Sequence, residues 1–208
     1  MKISIEKIKN LLTEGELTSA LNILTEEAKG TSFEIESTLL ISRFNKVTKE
    51  KNNNIISEEL EQIEYNKIVI STLELLSRAV YSFFCNEVLF EEILFYETSQ
   101  EYLTPKQNRE YATEFYTEKV RHIGWELPMR YPKIINTFNY VIKWHIIKPT
   151  GKITPTITSE FSLQTGWTNS WVAHSWGDEK FGTWEKGISA VKLYIGDKLI
   201  SEGKFLIK

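Results

Sequence analysis

Proline and tryptophan are confined to one side of this chain. All five Pro lie at or after Pro105, all six Trp lie between Trp125 and Trp184, and eight of the ten Gly fall from Gly124 onward. A segment without proline and nearly without glycine can run as helix, because nothing removes a donor from the i→i−4 ladder or loosens the backbone. A segment punctuated by both, and rich in aromatic and β-branched residues, reads as strands joined by turns. Charge divides at the same place: residues 1–100 carry 10 Lys/Arg against 17 Asp/Glu, and residues 101–208 carry 15 against 11. Two such materials in 208 residues predict an α+β chain of two domains, helices first and strands second.

The overall balance excludes several classes. A net charge of −3 argues against a general nucleic-acid binder, which needs a basic surplus to displace counterions from phosphates. One cysteine, Cys85, excludes an internal disulfide framework and a multi-cysteine zinc site. The start MKISIEKIKNLLTEGEL has no apolar run of signal-peptide length, so the expectation is a soluble, cytoplasmic chain.

Helical spacing runs through the first half. Ile5, Ile8, Leu11 and Leu12 form one stripe closed by Gly15, and Leu17, Ala20, Leu21 and Leu24 form a second stopped near Gly30. Ile35, Leu39, Leu40, Phe44 and Val47 form a third, ending at the polar Asn52-Asn53-Asn54. Ser57 followed by Glu58 and Glu59 supplies a capping hydroxyl and then acidic charge for a fourth. Four short amphipathic helices with brief turns predict a bundle. Residues 57–98 contain neither Pro nor Gly, so the fourth helix is expected to extend, with Ala79–Tyr96 as a buried helix between domains or part of an interface. Glu87, Glu91 and Glu92 inside that run argue against membrane insertion, since each acidic group at a bilayer centre costs roughly 2.5 kcal/mol or more.

The second half predicts an antiparallel β-sandwich of about six to eight strands, including Arg121–Pro128, Phe138–Lys148, Ile153–Phe161 and Trp167–Trp176. At the end, Val191, Leu193 and Ile195 alternate with Lys192 and Tyr194, and Gly196-Asp197 turns the chain in the manner of a type II′ hairpin. Alternation slips around Glu202-Gly203, because Ile200 is even-numbered whereas Phe205 and Ile207 are odd, and this predicts a bulge at Gly203.

The run STLLISRFNKVTKEKNNNIISEELEQIEYNKIVISTLELL resembles the effector-associated domain family, type eleven in its series. The resemblance rests on Ser42-Arg43-Phe44-Asn45, the polar break, Ile56-Ser57-Glu58-Glu59, and Ile63-Glu64-Tyr65-Asn66-Lys67-Ile68, with ELTSALNILTEEA earlier, and covers about residues 2–77. It implies a death-like helical bundle without catalysis of its own, found in bacterial conflict and signalling proteins, that couples proteins through like-with-like contacts. The ending Trp184-Glu-Lys-Gly187, Val191-Lys-Leu-Tyr194 and Gly203-Lys-Phe205-Leu-Ile207 is similar to small immunoglobulin-like sandwiches appended to bacterial multidomain proteins, over about residues 109–208. Ser189, where an aromatic is common, and Gly196-Asp197 in place of Asp-Gly depart from that pattern.

Catalytic constellations are missing: the sequence has no phosphate loop, no Gly-x-Ser-x-Gly elbow and no His-Glu-x-x-His. Cys85 in an apolar stretch reads as a structural thiol. His122, His145 and His174 read as hydrogen-bonded or surface imidazoles, and a metal site would require them to converge with a carboxylate such as Asp178. No catalytic residue, metal or cofactor is therefore expected. Trp167, Trp171, His174, Trp176 and Trp184 are dense enough for a ligand platform, although packing within a sandwich is the ordinary role of such residues. In the helical half, Glu14, Glu16, Glu26 and Glu27 crowd the first two helices, and Arg43, Lys46 and Lys49 line the third, beside Lys51. Opposite patches permit head-to-tail contact.

These readings combine into a helical bundle over residues 1–77, a helical connector over 78–104 and an immunoglobulin-like β-sandwich over 105–208. The expected role is a non-catalytic adaptor of a bacterial conflict or defence system. Its expected partner is a protein carrying a related effector-associated domain, with homo-oligomers as a further option and no nucleic acid or membrane insertion. The alternative is a ligand- or carbohydrate-binding sensor that uses the Trp cluster.

Overall fold

A computed structural model describes residues 3–98 and 104–208. Among these residues the chain forms four α-helices: α1 (Ile5–Thr13), α2 (Leu17–Ala28), α3 (Glu34–Asn52) and α4 (Glu58–Asn86). Nine strands follow: β1 (Leu89–Phe90), β2 (Leu94–Thr98), β3 (Glu114–Phe115), β4 (His122–Arg130), β5 (Phe138–Ile147), β6 (Ile157–Leu163), β7 (Asn169–Gly177), β8 (Gly187–Ile195) and β9 (Lys198–Ile207). The chain divides into two units. The first comprises Met1–Asn86 with Lys133–Asn139 and Ser162–Gly166, and the second comprises Glu87–Pro132, Tyr140–Phe161 and Trp167–Lys208.

In the first unit, Gly15 ends α1 at φ +81°, a left-handed conformation that costs glycine least. Ser57 Oγ accepts the Leu60 N–H at 3.3 Å and caps the start of α4. Leu17, Leu21, Val47 and Ile68 form a core cluster, with Leu40, Ile41, Phe44 and Tyr65 packed against it. The α3 stripe differs from the expected one. Its inward residues, Ser37, Leu40, Phe44 and Val47, step by three and four, whereas Ile35 and Leu39 are 75% and 63% exposed. Each residue turns the helix by about 100°, so Leu39 cannot share the inward direction of Leu40.

α4 carries most of the packing of this unit: Ile68, Thr72, Leu75, Leu76, Ala79, Val80, Phe83 and Phe84 are buried. The Phe83 and Phe138 rings meet edge to face at 5.5 Å, and Phe84 stands 6.2 Å from Phe138. By length and composition α4 is the one helix among the described residues that could cross a bilayer, and it is at the same time a core helix.

The helix expected through Tyr96 stops at Asn86, and β1 and β2 follow. Val88-Leu89-Phe90 and Leu94-Phe95-Tyr96 are large residues suited to a pleated surface. Their backbone groups find partners on β4, a tertiary gain that overrides the absence of helix breakers. The expected connector therefore holds helix to Asn86 and strand from Leu89 to Thr98; residues 99–103 of it lie outside the described residues.

β4 is central to the first sheet. β1 and β2 pair antiparallel with one edge of it in succession, from Leu89↔Arg130 to Thr98↔His122, and β7 pairs with the other edge from Arg130↔Asn169 to His122↔Gly177. The second sheet has the order β3-β9-β8-β5-β6 and is mixed, since β3 runs parallel to β9. Ring pairs join the two sheets into a sandwich: Trp125 with Trp144 at 5.9 Å and Phe95 with Phe205 at 4.9 Å. The β8–β9 hairpin turns at Gly196, φ +61°. Its irregularity lies at Ile200 rather than Gly203, because Leu193 pairs with Ser201 and Tyr194 with Leu199, while Gly203 pairs in register with Val191. Gly203 serves close approach instead. A Cβ there would stand 2.7 Å from Ile93 Cβ and 2.9 Å from the Phe95 ring.

Candidate functional site

The surface of the first unit with the most unspent chemistry lies where α3 and α4 run antiparallel. Arg78 bonds Glu36 at one end, and at the other Arg43 Nη2 and Nε donate to Glu64 Oε2 at 2.5 and 3.2 Å. Between these pairs is a groove of about 340 Å³ lined by Glu36, Leu39, Arg43, Ser71, Glu74 and Arg78. Leu39 lines it while largely exposed, and Ile35 on α3 and Ile70 on α4 are exposed as well. The Arg78 guanidinium holds the Glu36 carboxyl below its ordinary range, and hydrogen bonds from Lys67 and then Arg43 do the same for Glu64. Both acids therefore stay charged at neutral pH.

The charged residues singled out in the sequence are distributed unevenly. Glu27 accepts the Ser4 N–H at 2.6 Å and its hydroxyl at 2.7 Å, so it ties the chain ahead of α1 to α2. Glu26 pairs with Lys29 at 2.7 Å, Lys46 with Glu50 at 3.7 Å, and Lys51 with Glu61 at 2.7 Å. Glu14, Glu16 and Lys49 are exposed, and Arg43 belongs to the α3/α4 groove.

The tryptophan cluster does not gather on one surface. β4 pairing sets His174 opposite Trp125 and Trp176 opposite Ile123, on the inner side of the sheet, and His174 stacks on Trp125 at 6.0 Å. Trp176 meets Trp184 edge to face at 5.0 Å, and the buried Trp184 donates its Nε1–H to Arg121 O at 3.0 Å. Trp171, opposite Pro128, points outward, and Lys106 Nζ covers its ring at 4.2 Å. Trp167 is exposed in the turn before β7.

His122, His174 and Asp178 line one groove of about 460 Å³ with Trp176 and Glu179. Among the described residues no three of His, Cys, Asp and Glu converge closely enough to hold a metal. His145 Nε2 shares a 3.1 Å hydrogen bond with Thr156, and Cys85 is a half-buried free thiol.

One polar cluster was not anticipated from the sequence. Glu126 on β4 is 1% exposed; Arg109 pairs with it, Tyr111 Oη donates to it at 2.8 Å, and Lys106 Nζ lies 3.5 Å away. Arg109 Nε also donates to Thr104 O at 2.7 Å, and its guanidinium lies 4.6 Å over the Tyr96 ring. The cluster fastens residues 104–111 onto the outer side of the first sheet. Its signal was a glutamate inside the otherwise apolar run Ile123–Met129.

Residues 3–79 match the family model described as Effector-associated domain 11. No curated protein matches the chain. Solved structures similar in part include an immunoglobulin-like protein of Pseudomonas aeruginosa, 17% identical over 59% of this chain and 97% of that one, at TM-score 0.36. A β-glucosidase of Erythrobacter marinus is 11% identical over 58% of this chain, which spans 15% of that one, at 0.38. An alkylpurine DNA glycosylase of Pseudomonas fluorescens, bound to DNA with an abasic site analog, is 15% identical over 96% of this chain and 54% of that one, at 0.38. The sandwich is read from its own strand pairing and ring contacts.

Proposed function

We propose that this chain is a non-catalytic adaptor of bacterial effector signalling or defence, acting in the cytoplasm and recruiting partners through its helical unit. The observation that carries the reading is the match of residues 3–79 to an effector-associated domain. The α3/α4 surface adds to it, because the exposed Leu39 in a shallow groove between two ion pairs suits contact with a protein better than containment of a small molecule. A sugar- or ligand-binding role for the tryptophans is the weaker reading, since Trp176 and Trp184 pack on each other and Trp171, on the other side of β7, already holds Lys106 Nζ over its ring. The test is a binding assay of the full chain against a panel of proteins bearing effector-associated domains. Saturable binding to a member, lost in Leu39→Glu without loss of fold, is expected. Absence of binding across the panel, or turnover of a substrate by the chain alone, would sink the adaptor reading.

A further inference from the structure

We propose that the α3/α4 face docks a second copy of this chain about a two-fold axis lying across both helices at the level of Leu39 and Ser71. The proposal rests on the adaptor reading and names its face and one partner.

The charges on this face alternate. One end carries Glu36 on α3 beside Arg78 on α4, and the other carries Arg43 on α3 beside Glu64 on α4. Such a pattern repels an identical copy laid in the same sense and attracts one that is turned over. Two in-plane axes would bring opposite charges together, and helix length decides between them. Glu36 and Arg43 are separated by about 10 Å along α3, whereas Glu64 and Arg78 are separated by about 21 Å along α4, at about 1.5 Å per residue. An axis parallel to the helices would lay α3 on α4 and set the short span against the long one. An axis across them lays α3 on α3 and α4 on α4, so each span meets itself.

The centres agree with this arrangement. The midpoint of Glu36 and Arg43 falls between Leu39 and Leu40, the midpoint of Glu64 and Arg78 is Ser71, and all three midpoint residues line the same groove. In the pair, Glu36 meets Arg43 of the second copy and Arg78 meets Glu64 of the second copy, each contact made twice as an isologous interface requires. Leu39 lies at the axis against Leu39 of the other copy. Ser71 is small enough there for the two α4 helices to approach.

The test uses the full chain in sedimentation equilibrium over a concentration series at low and high salt, with two exchanged variants. Glu36→Arg with Arg78→Glu, and Arg43→Glu with Glu64→Arg, each keep an ion pair within the monomer, and melting temperature is recorded to confirm intact folding. Each variant alone sets like charges against like across the axis and should weaken self-association by about tenfold or more. Mixed together, the two variants are complementary at all four contacts and should form a heterodimer as tight as the wild-type pair. Leu39→Glu, at an exposed position, should also abolish association. A wild-type chain that stays monomeric throughout overturns the proposal, as does self-association retained by either exchanged variant or a mixture that fails to pair. Capture of another effector-associated domain by a monomeric wild-type chain would overturn this interface and leave the adaptor reading standing; failure of both would remove both.

Discussion

Glu126 shows how one buried charge organises its surroundings. Gly124, two residues earlier on the same side of β4, leaves room for Tyr96, since a Cβ there would stand 2.4 Å from the ring. Tyr96 then provides the surface on which Arg109 lies to reach Glu126. Arg109→Met should destabilise the second unit by about 3 kcal/mol, because it leaves a buried carboxylate short of its cation. Adding Glu126→Gln should recover part of that loss, and denaturant unfolding of the single and double variants checks it; equal stability of Arg109→Met and wild type would contradict the account. The tyrosines give a second expectation. Burial pushes Tyr96 up to about 12, and Tyr111 is raised by burial and by donating to Glu126. The folded state thus holds phenolic protons that the unfolded state releases near pH 10, so the stability this contributes is complete below pH 10 and lost as pH rises toward 12. Absorbance titration should resolve tyrosines that ionise only with alkaline unfolding, and a single unperturbed titration of all of them would refute it.

At the scale of elements, Gly203 distinguishes a bulge from a close approach. Gly203→Ala should destabilise the sandwich by about 1–3 kcal/mol, the usual range for overpacking, because the new methyl meets a branched Cβ and a ring rather than a flexible chain end. A glycine needed only for a bulge would tolerate the change far better, and thermal unfolding separates the two. The sequence signalled that the alternation slips but not where, since an extra residue at Ile200 and one at Gly203 produce the same change of phase by Phe205. Periodicity found α1 and α2 because their apolar residues point one way, and the Ser57 hydroxyl with the acidic residues after it marked the start of α4. It could not find β2, whose partner lies almost thirty residues further on in β4, nor the outward turn of Ile35 and Leu39, which became visible only once Leu40, Phe44 and Val47 were seen to face the core. The α3/α4 site was legible only as the residue Arg43. Its alternation of charge depends on the antiparallel register of two helices, which no local pattern encodes.

At the scale of the whole molecule, the first unit is not contiguous in sequence. A cut at residue 77 falls within α4 and removes Ala79, Val80, Phe83 and Phe84, all buried. A cut at Asn86 keeps them but removes Phe138, whose ring meets both phenylalanines, and the Asn139 N–H that Glu6 Oε1 accepts at 3.2 Å. The helical unit should therefore depend on residues supplied from far along the chain. Phe138→Ala in the full chain should cost about 3–5 kcal/mol, the range for emptying a buried aromatic site. The loss should appear as faster amide exchange in the last three turns of α4, where Ala79, Val80, Phe83 and Phe84 lie. A fragment ending at Asn86 should lose at least as much, through the same two exposed rings. Exchange in α4 unchanged by Phe138→Ala would mean that the helices hold their core without the later segment, and residues 1–86 would then be the right piece for binding studies.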